Sequence, residues 1–125
     1  MSTAIRDIEN EVRVLLQDTY EPYRFSSFQV FCGIRDALKR LNSVRPESRY
    51  FGLALVQLDF PAVDVDMTPA EIETARDGLV LIDERWLEAI VFYALYKLYL
   101  IDSTDTANAA LSANYLQMFE GIART

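Results

Sequence analysis

Apolar side chains recur at helical spacing near both ends of this chain, and the pattern breaks in the middle. Ile5, Ile8, Val12, Leu15 and Leu16 form one stripe, which predicts a first helix over residues 2–17. Ser2 or Thr3 is placed to cap it, and Asp7 and Glu9 lie in or near its favourable first turns. The segment DTYEPYRFSS stops the stripe: Pro22 disfavours helix at Glu21, and Ser26 or Ser27 offers the next N-cap. A second helix is expected from about Ser27 to Leu41, burying Phe28, Phe31, Cys32, Ile34, Leu38 and Leu41. Gly33 inside it costs roughly 1 kcal/mol relative to alanine, or else permits a close helix approach. Asn42 suits a left-handed cap there, and Pro46 prevents continuation.

Residues 50–67, YFGLALVQLDFPAVDVDM, follow no helical period. The run Leu53 to Phe60 reads as a strand or an extended arm, and AVDVD alternates with period two. Such a strand needs a partner, either Gly78 to Asp83 (GLVLID) or a neighbouring subunit. Thr68 then opens a short helix. TPAE puts Thr68 at the N-cap, Pro69 at the first helical position and Glu71 at the third, a capping box, and Gly78 ends the helix. A long apolar helix is expected from about Asp83 to Ile101. DSTDT breaks it, with Ser103 or Thr104 capping a last helix that runs to about Ile122. On that helix Ala107, Leu111, Tyr115, Met118, Phe119 and Ile122 share a face expected to be buried. The fold class is therefore mainly α: a small bundle of four to five helices with a short extended or β segment, an arm, in the middle. One domain covers residues 1–125, divided into an N-terminal helix pair (2–49), an extended arm plus short helix (50–82) and a C-terminal helix pair (83–122).

The stretch from Trp86 to Ile101 has only Glu88 and Lys97 among apolar and aromatic residues. It rises roughly 24 Å, at ~1.5 Å per residue, short of the ~30 Å hydrocarbon core of a membrane. It reads as the central helix of a bundle, either wrapped wholly by its own chain or partly covered by a second copy. Its tyrosines, Tyr93, Tyr96 and Tyr99, offer apolar area and a hydroxyl together, a combination enriched at interfaces.

Charge narrows the functional classes. The net charge of −7 argues against an extended phosphate-binding surface. It is unevenly distributed. Residues 24–49 carry Arg24, Arg35, Lys39, Arg40, Arg45 and Arg49 against Asp36 and Glu47. Residues 59–84 carry Asp59, Asp64, Asp66, Glu71, Glu73, Asp77, Asp83 and Glu84 against Arg76 alone. Opposed blocks suit a heterologous contact between subunits, which builds rings or filaments, although two solvated surfaces would look the same in sequence. The chain has no histidine and one cysteine, Cys32, which reads as a small core residue. A Ser-His-Asp triad, a Cys-His pair, a His/Cys zinc site and an intrachain disulfide are all impossible. The four glycines, Gly33, Gly52, Gly78 and Gly121, are scattered and form no phosphate loop. No catalytic, cofactor or metal site is expected, and the N-terminus has no secretory pattern.

The order of the pieces resembles the head-to-tail adaptor (connector, or head-completion) proteins of tailed bacteriophages. The opening match is Leu15, Leu16 and Asp18, then Phe25 and Ser26, then Asn42, Arg45 and Pro46. The closing match is a long apolar helix, an Asp-Ser break and an Ala/Asn-rich helix ending in Tyr-x-x-Phe. It rests on Tyr96, Asp102, Ser103, Ala107, Asn108, Ala110, Tyr115 and Phe119. The likeness covers roughly residues 10–49 and 80–122; the middle is shorter than the β-containing insertion of many relatives.

The resemblance implies a non-enzymatic, structural virion protein at the capsid–tail junction, assembled in the host cytoplasm. Such adaptors form a homo-oligomeric ring of about twelve subunits beneath the portal protein. They dock the next neck or tail protein and let DNA pass without sequence-specific binding, with no role at a membrane. Candidate contact residues for the ring or its partners are Arg35, Lys39, Arg40, Leu55, Phe60, Asp64, Asp66, Trp86, Tyr93 and Tyr96. The alternative is a small soluble helical interaction or regulatory protein that binds one partner.

Overall fold

The structure, a computed structural model, describes residues 2–16, 25–44, 50–51, 54–55, 66–81, 86–101 and 106–124. Within these residues the chain is mainly helical, in the order β1 (Ser2–Ala4), α1 (Ile5–Leu16), α2 (Ser27–Val44), β2 (Tyr50–Phe51), β3 (Ala54–Leu55), α3 (Pro69–Arg76), β4 (Leu79–Leu81), α4 (Leu87–Ile101) and α5 (Thr106–Ala123). The expected bundle forms with five helices.

The apolar α4 is its centre. α5 and α2 pack along it, with α1 as a smaller third neighbour. Because three helices surround it, Ala89, Ile90, Val91, Ala94, Leu95 and Leu98 are all buried, on no single narrow stripe. From α2 come Val30, Phe31, Ile34, Ala37, Leu38 and Leu41, and from α1 Ile5, Ile8, Val12 and Leu16. Gly33 faces α4 at close range: a Cβ there would stand 3.4 Å from the Cα, Cβ and carbonyl oxygen of Ala94. The glycine marks a close helix approach, the second of its two sequence readings. Gly33→Leu is therefore expected to cost about 1–3 kcal/mol by overpacking. Gly33→Ala should stay within about 1 kcal/mol of wild type, because helix propensity offsets the tight contact. Urea midpoints of the two variants test the contrast; equal midpoints would refute the close approach.

Several boundaries differ from the sequence reading. The first helix starts at Ile5, not residue 2, because Ser2–Ala4 pairs antiparallel with Leu79–Leu81 in the register Ser2↔Leu81, Thr3↔Val80, Ala4↔Leu79. The Ile5 N–H donates to the Gly78 carbonyl at 2.9 Å, so Ser2 and Thr3 are strand residues rather than caps. That pairing also claims the strand expected to partner the middle arm. The arm instead has its own two-residue ladder, Tyr50↔Leu55 and Phe51↔Ala54; the rest of the Leu53–Phe60 strand and AVDVD falls largely outside the described residues. The second helix continues to Val44 through Asn42, since Val44 still packs on the core. Thr68 forms the expected capping box with Glu71, with both hydrogen bonds at 3.2 Å, and Gly78 follows the last residues of α3. The expected caps at Ser103 and Thr104 lie outside the described residues.

On α5 the buried line is Asn108, Ser112, Phe119 and Ala123, flanked by Tyr115, Leu116 and Ile122. Ala107, Leu111 and Met118, expected inside, face solvent. Small Ser112 lets the helix sit close to α4, where its hydroxyl donates to the Tyr96 carbonyl at 3.1 Å. Tyr99 stacks on Tyr115 with centroids 5.8 Å apart, and Phe119 meets Tyr93 edge-on at 4.9 Å. The rotation that seats these aromatics turns Leu111 and Met118 outward.

Candidate interaction surfaces

The most concentrated chemistry in the described residues is a buried charge cluster joining α1, α2 and α3. Glu9 is 2% exposed and Arg13 4%. Glu9 Oε2 accepts from Arg13 Nε at 3.2 Å, Arg13 Nη2 at 3.1 Å and Ser27 Oγ at 3.0 Å. Its Oε1 accepts from Arg76 Nε at 2.7 Å. Arg76 Nη2 donates to Ser27 Oγ at 2.8 Å, and Arg13 Nη1 donates to the Phe25 carbonyl at 3.1 Å. Arg76 also binds Glu73, which Arg6 reaches at 2.9 Å while bonding Asp77 at 3.1 Å. Among the described residues no buried side-chain polar atom lacks a partner. With its carboxylate oxygens this fully engaged, the cluster is suited to holding three helices in register rather than to acid–base work. The hydrogen bonds from Arg6 and Arg76 hold the Glu73 carboxyl below its ordinary value. A depressed carboxyl stabilises the fold above its unfolded pKa, and that contribution is lost as pH falls through the folded one.

Among the described residues, three open surfaces stand out. The first is an open groove of about 530 Å³ between α1 and α4. Its apolar wall is Ile8, Leu15, Leu87, Val91 and Phe92, and its rim carries the carboxylates of Asp7, Glu11 and Glu88. Asp7 and Glu11 are like charges at i,i+4, mildly unfavourable in a lone helix. None of the three rim acids forms an ion pair within the described residues.

The second surface is the outer side of α2. Phe28, Cys32, Arg35 and Lys39 fall on one line along the helix, and Arg40 lies about 100° further round, on the side of Asp36. Phe28, Cys32 and Arg35 are half-buried; Lys39 and Arg40 are exposed and make no ion pair among the described residues. Arg35 is occupied in part by Asp36 at 3.4 Å, and Asp36 also meets Lys97 at 3.9 Å. Burial pushes the Cys32 thiol up, so it stays protonated near neutral pH.

The third is the outer side of α5. No charged residue occurs from Thr106 to Phe119, yet Ala107, Ala110, Leu111, Asn114 and Met118 face outward. Gly121 continues the line with open space around it.

The ten contact residues expected from sequence are scattered among these surfaces and beyond them. Arg35, Lys39 and Arg40 lie together on α2. Tyr93 and Tyr96 are half-buried and meet edge-on at 5.3 Å; burial, then Tyr96, raises the Tyr93 hydroxyl pKa, against the lowering field of Arg40. Trp86 is 6% exposed and belongs to the core, so it offers little surface to a neighbour. Asp66 is exposed in the turn before α3, and Leu55 is in β3. Phe60 and Asp64 lie outside the described residues. The acidic block is only partly open, because Glu73 and Asp77 are bound by Arg6 and Arg76 of the same chain. Sequence reasoning missed the groove. Its available signal was the pair Asp7 and Glu11, one helical turn apart beside the apolar stripe.

No family model, curated protein or solved structure matches the chain. Among the described residues, no group of three or more carboxylate or thiol side chains is placed to hold a metal ion, and no helix is long and apolar enough to cross a membrane.

Proposed function

We propose that the chain is a structural assembly subunit, and specifically an adaptor of a tailed-phage neck that joins the capsid portal to the tail. The observation that carries the assembly reading is the outer face of α5. Four turns of exposed helix with no charge, bearing Leu111 and Met118, are costly to leave in water and cheap to cover with another chain. The neck assignment adds the likeness in the opening and closing helix pairs. An acidic chain suits a conduit that must release DNA rather than grip it. In this role the subunit forms a ring on the portal and acts by shape and contact, not by catalysis.

Sedimentation of the chain with and without portal rings tests this. The expected result is co-sedimentation with the portal; a chain indifferent to portal overturns the neck assignment. The groove between α1 and α4 favours a second reading, a regulatory protein that takes one partner helix. That reading expects a one-to-one complex with a single partner and no ring.

A further inference from the structure

We infer that the acid-rimmed groove between α1 and α4 receives the basic outer side of α2 from a second copy of this chain, a head-to-tail contact. The inference deepens the assembly reading and rests on it. The two surfaces are distinct, as a heterologous contact requires: no residue of α2 lines the groove. They are also complementary in two respects. The groove has an apolar wall and three carboxylates without ion-pair partners among the described residues. The α2 line has Phe28 and Cys32 over its first half, then Arg35 and Lys39, with Arg40 about 100° round the helix from Lys39. Apolar residues and cations thus follow one another along a single helix, as an occupant of this groove needs.

Glu9, Asp36, Glu73 and Asp77 each meet an arginine of the same chain. Among the described residues the rim acids Asp7, Glu11 and Glu88 and the cations Lys39 and Arg40 form no ion pair; Glu71, Glu120 and Arg124 also form none, but they lie on neither surface. Opposite charges left over on two separate surfaces are what an intermolecular contact would use. The α3 acids, which the sequence set against the basic block, are the weaker partner because Arg6 and Arg76 already hold two of them.

A charge-swap experiment on the whole chain tests the contact. One variant carries Glu11→Lys and Glu88→Lys, the other Lys39→Glu and Arg40→Glu; all four positions are exposed. Circular dichroism and urea midpoints confirm that each folds, and the milder Glu11→Gln, Glu88→Gln pair replaces the first if it does not. Sedimentation at low salt is expected to show wild-type self-association that weakens as salt rises. Each variant alone should associate about a hundredfold more weakly. An equal mixture should recover association, because a reversed groove meets a reversed α2 and the two native surfaces meet each other. The contact is overturned by variants that associate like wild type, by a mixture that does not recover, or by a wild type that stays monomeric up to about 1 mM. A monomeric wild type whose groove variant loses portal binding would give the groove to the portal instead, and also overturns the self-contact. Portal co-sedimentation separates the two claims: binding without charge-swap recovery leaves the neck reading standing, and recovery without binding leaves only the contact.

Discussion

Glu9→Ala is expected to destabilise the fold by about 3–5 kcal/mol, the usual cost of removing one partner from a buried charge cluster. The carboxylate is shared by two guanidiniums, Arg13 through Oε2 and Arg76 through Oε1. Without it two cations face each other across Ser27, whose hydroxyl already accepts from both. Arg13 has no route to water: its side chain is 5% exposed and its Nη1 is committed to the Phe25 carbonyl. Arg76 is nearer the surface and has Glu73 as a second partner, so it can turn outward. The order of cost should therefore be Glu9→Ala first and Arg76→Ala well below it. Because the Arg13 pair is buried, added salt should change the Glu9→Ala effect little. Replacing Glu9, Arg13 and Arg76 together by apolar residues of similar volume should cost less than Glu9→Ala alone, since no charge is left stranded. Urea unfolding of the variants decides it. A loss below about 1 kcal/mol for Glu9→Ala would mean that the cluster is not closed to water.

The same cluster shows where sequence reading stops. Helix existence was legible because the apolar residues of α1, α2 and α4 are dense and periodic, and the Thr68 capping box is a local signal that tertiary packing leaves intact. Glu9 and Arg13, by contrast, look like an ordinary i,i+4 surface pair. Their place beside Ile5, Val12 and Leu16 on the stripe was the clue to burial. What buries them is Ser27 and Arg76, 18 and 67 residues from Glu9 along the chain, and no local pattern encodes that meeting. The first strand was missed for a similar reason. Ser2–Ala4 is three small residues with no strand pattern, and pairing with Leu79–Leu81 sets its conformation. α5 failed differently. Its apolar residues lie on more than one side, so periodicity alone did not choose the inner face. Aromatic packing chose it, through Tyr93, Tyr99 and Phe119, and the exposed Leu111 and Met118 followed. The assembly reading draws on that misassignment: the residues expected inside are the ones left for a partner.

Phe119→Ala is expected to cost about 3–5 kcal/mol and to loosen α5 from the bundle. Phe119 is 1% exposed and is the only large apolar side chain of α5 that is fully buried. Its ring meets Tyr93 edge-on at 4.9 Å, so truncation removes an aromatic pair as well as apolar area. The remaining anchors are thinner. Asn108, Ser112 and Ala123 bury little apolar surface, and Tyr115 is half-buried, stacked on Tyr99 and tilted against Phe92 at 5.9 Å. α5 should thus lose amide protection before α2 and α4, and hydrogen exchange reads that order directly. Loosening has a functional consequence under the assembly reading, because the uncharged outer face is presented only while the inner face is seated. Phe119→Ala should weaken portal co-sedimentation, although the Phe119 side chain itself faces inward. Met118→Ala, one residue away on the outer face and 48% exposed, should leave the unfolding midpoint nearly unchanged and still weaken co-sedimentation. If Met118→Ala binds the portal as wild type does while Phe119→Ala does not, α5 supports the bundle without being its contact surface, and the outer face loses its place in the assembly.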